Sequence, residues 1–325
     1  MTNFVRRFLF GFVLVAAVGL GSCMPYDRPA LRVGIHLWPG YEPLRLAEML
    51  GYYHSERIKL VELPSAEEAI QEYRNGVIDA IAITGDEALR VAAVEPEEHR
   101  IILALDYSNG ADVIMARPGI ADLQALKGRK VGFQPDAVGA VMLTRALEQA
   151  GLSLSDIEPR PLPVVEHVRA YQRGVVDVVV TFEPRRTELL KLGAHEIFSS
   201  ARMPSEIVDV LLTRVSLFET HEAAFQELVG GWWRAIEHWR KQPDDAARRL
   251  AVHQSMTPAE FLGAIKGLEL LDRQANLQAF GGGAGALRGN LERMADIMVS
   301  RGLLPATKKV DVEGLLDDRW VSDAP

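Results

Sequence analysis

The 325-residue chain has a single cysteine, Cys23. A lone thiol excludes an intramolecular disulfide, a cysteine-rich zinc site and an iron–sulfur cluster. A basic excess is missing too: 36 Lys and Arg face 44 Asp and Glu, for a net charge of −8. Non-specific nucleic-acid binding needs a basic face that displaces counterions from phosphates, so no nucleic-acid partner is expected. Eight histidines are scattered without an HExxH pattern or a close pair, so neither a metal site nor a cofactor is expected. There is no G-x-S-x-G elbow, and Gly281-Gly282-Gly283-Ala284-Gly285 is not followed by Gly-Lys-Ser/Thr, so it reads as a helix connector. No catalytic residue is assigned. What is present is ordinary globular material, 48% apolar and 25% charged. At roughly 150 residues per domain, the length predicts two domains.

The first thirty residues read as an address. Arg6 and Arg7 precede a charge-free stretch over residues 8–20. As a helix that stretch is about 20 Å long, too short for a hydrocarbon core of about 30 Å. A charged start and a short apolar run are the layout of a secretory signal peptide. The run ends in Leu20-Gly21-Ser22-Cys23, which resembles the bacterial lipoprotein signal. That resemblance implies cleavage before Cys23, diacylglycerol on its thiol and an acyl chain such as palmitate on the new N-terminus. Residues 1–22 are then the signal and 23–30 a tether. Losing Arg6 and Arg7 takes the net charge from −8 to −10. A plain signal peptide, or an uncleaved anchor, that happens to contain a cysteine is the other reading.

The rest of the chain carries an internal echo. Arg32-Val33-Gly34-Ile35-His36 lies 98 residues before Lys130-Val131-Gly132-Phe133-Gln134. Tyr73-Arg74-Asn75-Gly76-Val77-Ile78-Asp79 lies 98 before Tyr171-Gln172-Arg173-Gly174-Val175-Val176-Asp177, and Leu63-Pro64 has a counterpart in Leu162-Pro163. Each copy reads strand, helix, strand, helix, strand, with apolar runs at 31–37, 78–83, 130–133 and 177–181. Helices are expected at 43–50 and 137–150, stopped by Gly51 and Gly151, and Ser65-x-x-Glu68 is a capping box. Strands alternating with helices predict right-handed crossovers and two α/β lobes with mainly parallel sheets. Hinge crossings fall near 108–112 and 201–208. Lobe 1 is expected over 31–109 plus 207–325 and lobe 2 over 110–206. After Val215 the chain turns helical, and the tail is expected to pack on lobe 1 with Trp232, Ile236 and Trp239 in its core.

In open α/β sheets, ligands sit outside the carboxyl ends of the strands. That rule nominates Trp38 and Tyr41 after the first strand, Thr84 and Asp86 after the third, and Asn109 and Asp209 at the crossings. The second copy contributes Gln134, Asp136, Val138, Thr181 and Glu183. Thr84, Asp86 and Asp136 equally suit helix N-caps, Glu183 suits a first helical turn, and Trp38 and Tyr41 suit a core.

These residues resemble a known family, the periplasmic substrate-binding proteins of ABC importers, in the group handling nitrate, taurine, aliphatic sulfonates and thiamine-pyrimidine precursors. The likeness rests on Gly40-Tyr41 with Leu44-x-x-Ala47 and Gly51-Tyr52-Tyr53, and on Gly76-x-x-Asp79 with Thr84-Gly85-Asp86. Asp122-Leu123 with Leu126-Lys127-Gly128-x-Lys130-Val131, Ala146-Leu147-Glu148-x-Ala150-Gly151-Leu152, and Gly174-x-x-Asp177 with Glu183-Pro184 complete it. It implies a monomeric two-lobed clamshell that binds a small molecule and presents it to an ABC permease without chemistry. With Cys23 it implies the periplasmic face of a bacterial membrane. The strand-end loops are acidic (Asp86, Glu87, Asp106, Asp112, Asp136, Glu183, Asp209), with Arg185 and Arg186 nearby. An amine, amidine or heteroaromatic ligand is therefore expected over a sulfonate or nitrate. The alternatives are a receptor feeding a sensor kinase or another surface partner, and an enzyme on the same fold.

Overall fold

A computed structural model describes residues 29–135, 138–281, 286–305, 307 and 310–323. Cys23, the signal segment and Gly282 to Gly285 lie outside the described residues. The first lobe begins β1 (Leu31–His36), α1 (Glu42–Met49), β2 (Ile58–Leu63), α2 (Ala66–Arg74), β3 (Ala80–Thr84), α3 (Gly85–Val94) and β4 (His99–Ser108). The chain then crosses over into β5 (Asp112–Ala116), β6 (Lys130–Phe133), α4 (Val138–Ala150), β7 (Glu158–Pro161), α5 (His167–Gln172), β8 (Val178–Phe182), α6 (Arg185–Lys191) and β9 (His195–Ser199). It returns through β10 (Val208–Arg214). The tail is α7 (Phe218–Lys241), α8 (Pro243–Leu250), α9 (Pro258–Ile265), β11 (Leu268–Leu270), α10 (Arg273–Phe280), α11 (Ala286–Ser300), α12 (Val312–Leu315) and α13 (Arg319–Asp323).

Six strands form one sheet in the order β11-β4-β10-β3-β1-β2, and five form the other as β7-β6-β8-β5-β9. The expected βαβ units are present: β1 pairs in parallel with β2 and β3, and β6 with β7 and β8. Both sheets are mixed, with four strands of each running in one direction. A strand arriving from the opposite lobe enters where the parallel strands end, so β10 runs antiparallel to β3 and β4, and β5 to β8 and β9. The sheet orders superimpose term by term, with β2-β1-β3-β10-β4 matching β7-β6-β8-β5-β9.

The 98-residue echo marks one local structure built twice. Asp79 Oδ2 accepts from the Arg32 backbone N–H at 2.8 Å, and Asp177 Oδ2 accepts from Lys130 N–H at 3.1 Å. Each aspartate's own N–H donates back to the partner carbonyl at 2.8 Å. Gly76 and Gly174 take φ of 72° and 71°, a region open to glycine without strain. An arginine follows in each lobe: Arg214 lies 4.0 Å over the Tyr73 ring and Arg117 lies 4.2 Å over Tyr171. Both also donate to the ring residue's carbonyl.

Alternation along the strands divides the core. On β3, Ile81 and Ile83 face a cluster shared by both lobes, while Ala80 and Ala82 face a second cluster under α1, α7 and α8. The shared cluster runs from Leu89 of α3 through Leu143 of α4 to Leu291 and Met294 of α11, so the tail packs on the first lobe and reaches the second. Trp232, Ile236 and Trp239 are buried in the second cluster, and Trp232 Nε1 donates to the Leu271 carbonyl at 2.9 Å. Among the described residues no helix is long and apolar enough to cross a membrane. Asp79 accepts two further bonds from the Arg32 guanidinium, at 2.8 and 2.7 Å. Replacing Asp79 with alanine should cost about 2 kcal/mol, read as a lower urea midpoint at unchanged slope.

Candidate functional site

The parallel strands β1, β3, β6 and β8 all end towards one gap between the sheets, and the crossing strands β5 and β10 begin there. A cavity of about 70 Å³ occupies that gap. Its first-lobe wall includes His36, Trp38, Tyr41, Ser65, Glu67, Thr84, Glu87 and Asp209. The second lobe contributes Asp112, Gln134, Val138, Val164, Phe182 and Arg185. The duplication is legible in this wall, where His36 stands 98 residues from Gln134, Thr84 from Phe182 and Glu87 from Arg185. The crossing strands follow the same plan: Asp209 sits opposite Thr84 in register, and Asp112 opposite Phe182.

The Trp38-Pro39-Gly40-Tyr41 turn forms the aromatic side. Trp38 meets Phe182 edge-to-face at 5.6 Å across the gap, and Tyr41 meets His36 at 5.1 Å. Gln134 donates to Glu67, tying the second lobe to the first. Trp38 Nε1 donates to Asp106 Oδ2 at 3.2 Å, and the Tyr41 hydroxyl donates to Asp209 Oδ1 at 2.5 Å. Gly40 has no room for a side chain, since a Cβ there would lie 2.0 Å from Asp106 Oδ2.

Acid dominates the electrostatics. Asp86, Glu87, Asp106, Asp112 and Asp209 are all buried. Burial pushes the Glu87, Asp106 and Asp112 carboxyls up to about 7, and Asp209 is raised well above its ordinary value by burial and then by Asp106 beside it. Asp106 Oδ1, Asp112 Oδ2 and Asp209 Oδ2 have no hydrogen-bond donor among the described residues. On the cationic side, Arg185 is engaged by Glu188 at 2.5 Å, and His36 is pushed down to about 4 by burial and is neutral at pH 7. Among the described residues no group of three or more His, Cys, Asp or Glu is arranged to hold a metal ion.

Of the residues nominated from sequence, Trp38, Tyr41, Thr84, Gln134, Val138 and Asp209 line the cavity. Four others do not. Asn109 is exposed on the crossing, where its N–H is taken by the Gly267 carbonyl at 2.8 Å. Glu183 is buried but spent on its own helix, accepting from Thr187 N–H and Arg186, each at 3.1 Å. Thr181 faces His167 Nδ1 at 3.1 Å in a smaller space behind the wall. Asp86 is buried in the first turn of α3 without reaching the lining. Asp136 lies outside the described residues. Phe182 and Arg185 stood in a nominated loop but were not chosen, and Glu87 and Asp112 were counted only as acid. The duplication was the signal that would have found Phe182 and Arg185, by projection from Thr84 and Glu87. Glu67 was missed because it follows a second strand, β2, whose end the loop rule did not nominate.

A model of the NMT1-like family matches residues 25–254. The chain belongs to the NMT1-like family. This NMT1-like chain is 25% identical over 326 residues to a putative aliphatic sulfonates-binding protein of Escherichia coli K12, covering 96% of this chain and 95% of the relative. Among solved structures, it resembles the alkanesulfonate-binding protein SsuA from Xanthomonas axonopodis bound to MOPS, with a TM-score of 0.75 at 19% identity. That match covers 90% of this chain and 99% of the other. It also resembles the desulfurization enzyme DszB, with a TM-score of 0.70 at 17% identity over 91% of this chain and 99% of that one. At these identities the structural likenesses establish the two-lobed α/β fold of the NMT1-like chain.

The raised carboxyls set the pH dependence of stability. A carboxyl that ionises at about 7 when folded and about 4 when unfolded makes the folded state the tighter proton binder, so stability falls as pH rises from about 4 through about 7. His36, His99, His167 and His253, pushed down mainly by burial, act in the opposite direction below about 6.5, but they are four against the six raised carboxyls Glu42, Asp86, Glu87, Asp106, Asp112 and Asp209. Urea titrations should give a lower midpoint at pH 8 than at pH 5; an equal or higher one contradicts this assignment.

Proposed function

We propose that this protein is the solute-binding component of an ABC importer: a periplasmic monomer that captures a small molecule between its lobes and delivers it to a membrane permease, without catalysis. Family membership and the named binding proteins support the solute-binding part. The physical mechanism is closure: a ligand that touches both walls only when they approach shifts the balance towards the closed form by that difference in contact. Trp38 and Phe182, one from each lobe, meet edge-to-face across the gap, which supports this reading.

The ligand class departs from the sulfonates of the named relatives. The observation that carries this reading is Asp112 Oδ2, a buried and unpartnered carboxylate oxygen on the cavity wall, with Glu87 and Asp209 on the same wall. A sulfonate could be buried there only with these carboxyls held in the protonated form, an added cost at and above neutral pH. An ammonium or amidinium would supply the missing donor and the opposite charge. Trp38, Tyr41 and Phe182 add faces on which a flat or cationic group rests. Micromolar binding corresponds to about −8 kcal/mol, within reach of a few such contacts. Calorimetry with a panel of amines, amidines, aminopyrimidines, alkanesulfonates and nitrate should rank nitrogen cations at least tenfold ahead of the anions. Tight binding of a sulfonate alone overturns the ligand class.

Cys23 supplies the membrane attachment in this reading, since several acyl chains together give stable anchoring. Cys23→Ser should move the protein from the membrane fraction to the soluble periplasmic fraction and abolish labelling by radioactive palmitate. Unchanged fractionation points to a different attachment.

A further inference from the structure

Asp106 was nominated by no motif and does not line the cavity, yet it is fully buried beneath it, at 0% exposure. β4 and β10 are neighbours in antiparallel register, and Asp106 is directly opposite Asp209. Side chains so placed leave the same face of the sheet a few ångströms apart. The two carboxyls stand side by side on one face of the sheet, and Asp106 Oδ1 and Asp209 Oδ2 have no donor among the described residues. The outer oxygens are already taken: Trp38 Nε1 donates to Asp106 Oδ2 and the Tyr41 hydroxyl to Asp209 Oδ1. Two ionised carboxylates cannot share such a place, but one proton between them satisfies both inner oxygens and removes one charge. The result is a continuous chain, Tyr41–Asp209–proton–Asp106–Trp38, whose two ends are the aromatic residues of a single turn. Gly40, between them, rests on Asp106 with no space for a Cβ.

We propose that Asp106 is a positioning residue: the proton it shares with Asp209 holds the Trp38–Tyr41 turn against the sheet, so that the aromatic wall of the cleft is in place only while that proton is bound. Other charged groups facing the pair are Asp112 from β5 and Glu87 from α3, with Asp86 and Arg90 on the same helix; on β11 the residue opposite Asp106 is the uncharged Leu270, and Glu269 is opposite Tyr107 on the other face. Most are acidic and favour retention of the proton. When the proton leaves, two buried negative charges repel across adjacent strands and the hydrogen-bonded chain breaks in its middle.

An asparagine at either position reproduces the protonated pair, with its amide N–H in place of the shared proton and its carbonyl still accepting from Trp38 or Tyr41. The first readout needs no ligand: the indole N–H resonance of Trp38 in the full protein, assigned with Trp38→Phe and followed against pH. It should shift through a transition above about pH 7 in the wild type and stay flat in Asp106→Asn. Asp106→Ala should lose the hydrogen-bonded position at every pH. The second readout is the affinity of benzamidine, which stays cationic across this range; this arm alone rests on the proposed ligand class. Wild-type affinity should fall by up to about tenfold per pH unit above the transition, as loss of one required proton demands, and Asp106→Asn should abolish that slope. Should Asp106→Asn fail to fold, Asp209→Asn tests the same pair from the other strand. A flat wild-type resonance, or a transition that survives unchanged in the asparagine variant, overturns the shared proton. Failure of benzamidine to bind while the resonance behaves as expected overturns the ligand class and leaves the proton pair standing.

Discussion

A strand that changes lobes has to run against the parallel strands it joins, and this one topological constraint organises the molecule. Parallel strands deliver their carboxyl ends to the gap between the sheets, while β5 and β10, running the other way, begin there. Their first two residues are therefore at the gap by necessity, and they include Asp112 and Asp209. The cleft is thus walled on each side by the same set of positions, the ends of two parallel strands and the start of one antiparallel strand. What differs between the sides is chemistry: His36, Thr84 and Glu87 on one, Gln134, Phe182 and Arg185 on the other.

Acid concentrated at such a place is unfavourable for the fold taken alone. Each buried carboxylate gives up its hydration, and the neighbours compound the cost through repulsion. The protein offsets this in three ways. Protons are retained, as the raised Glu87, Asp106 and Asp112 carboxyls indicate. Hydrogen bonds are supplied by Trp38, Tyr41 and the Thr84 backbone N–H. Packing elsewhere is generous, with a single apolar cluster running through both lobes.

Much of the architecture was legible before any coordinates. Apolar runs bounded by glycine marked the strands, the 98-residue echo marked the two lobes, and Ser65 caps α2 by accepting from Glu68 N–H at 3.3 Å. These are local properties, written into consecutive residues. The antiparallel pairs were not legible, because the direction of a crossing strand depends on which lobe receives it. β11 is three residues long, too short to show a period, and only its pairing with β4 makes it a strand. At the site, Thr181 ends up within β8 and Glu183 just beyond it, and their side chains are held by His167, Arg186 and the Thr187 N–H. A side chain's direction depends on which partner lies within hydrogen-bonding distance, and His167 is brought to Thr181 by the packing of α5 on β8.

By itself the chain determined its periodicity: which stretches become strands, where glycine permits a turn, that the plan is repeated, and how much acid stands at the strand ends. Only the tertiary structure decided which acids face the cavity, which face one another and which cap a helix. Periodicity arises from backbone geometry and solvent, which act on each segment alone. The pairing of Asp106 with Asp209 joins residues 103 apart in the chain, and it exists only because two strands lie side by side in one sheet.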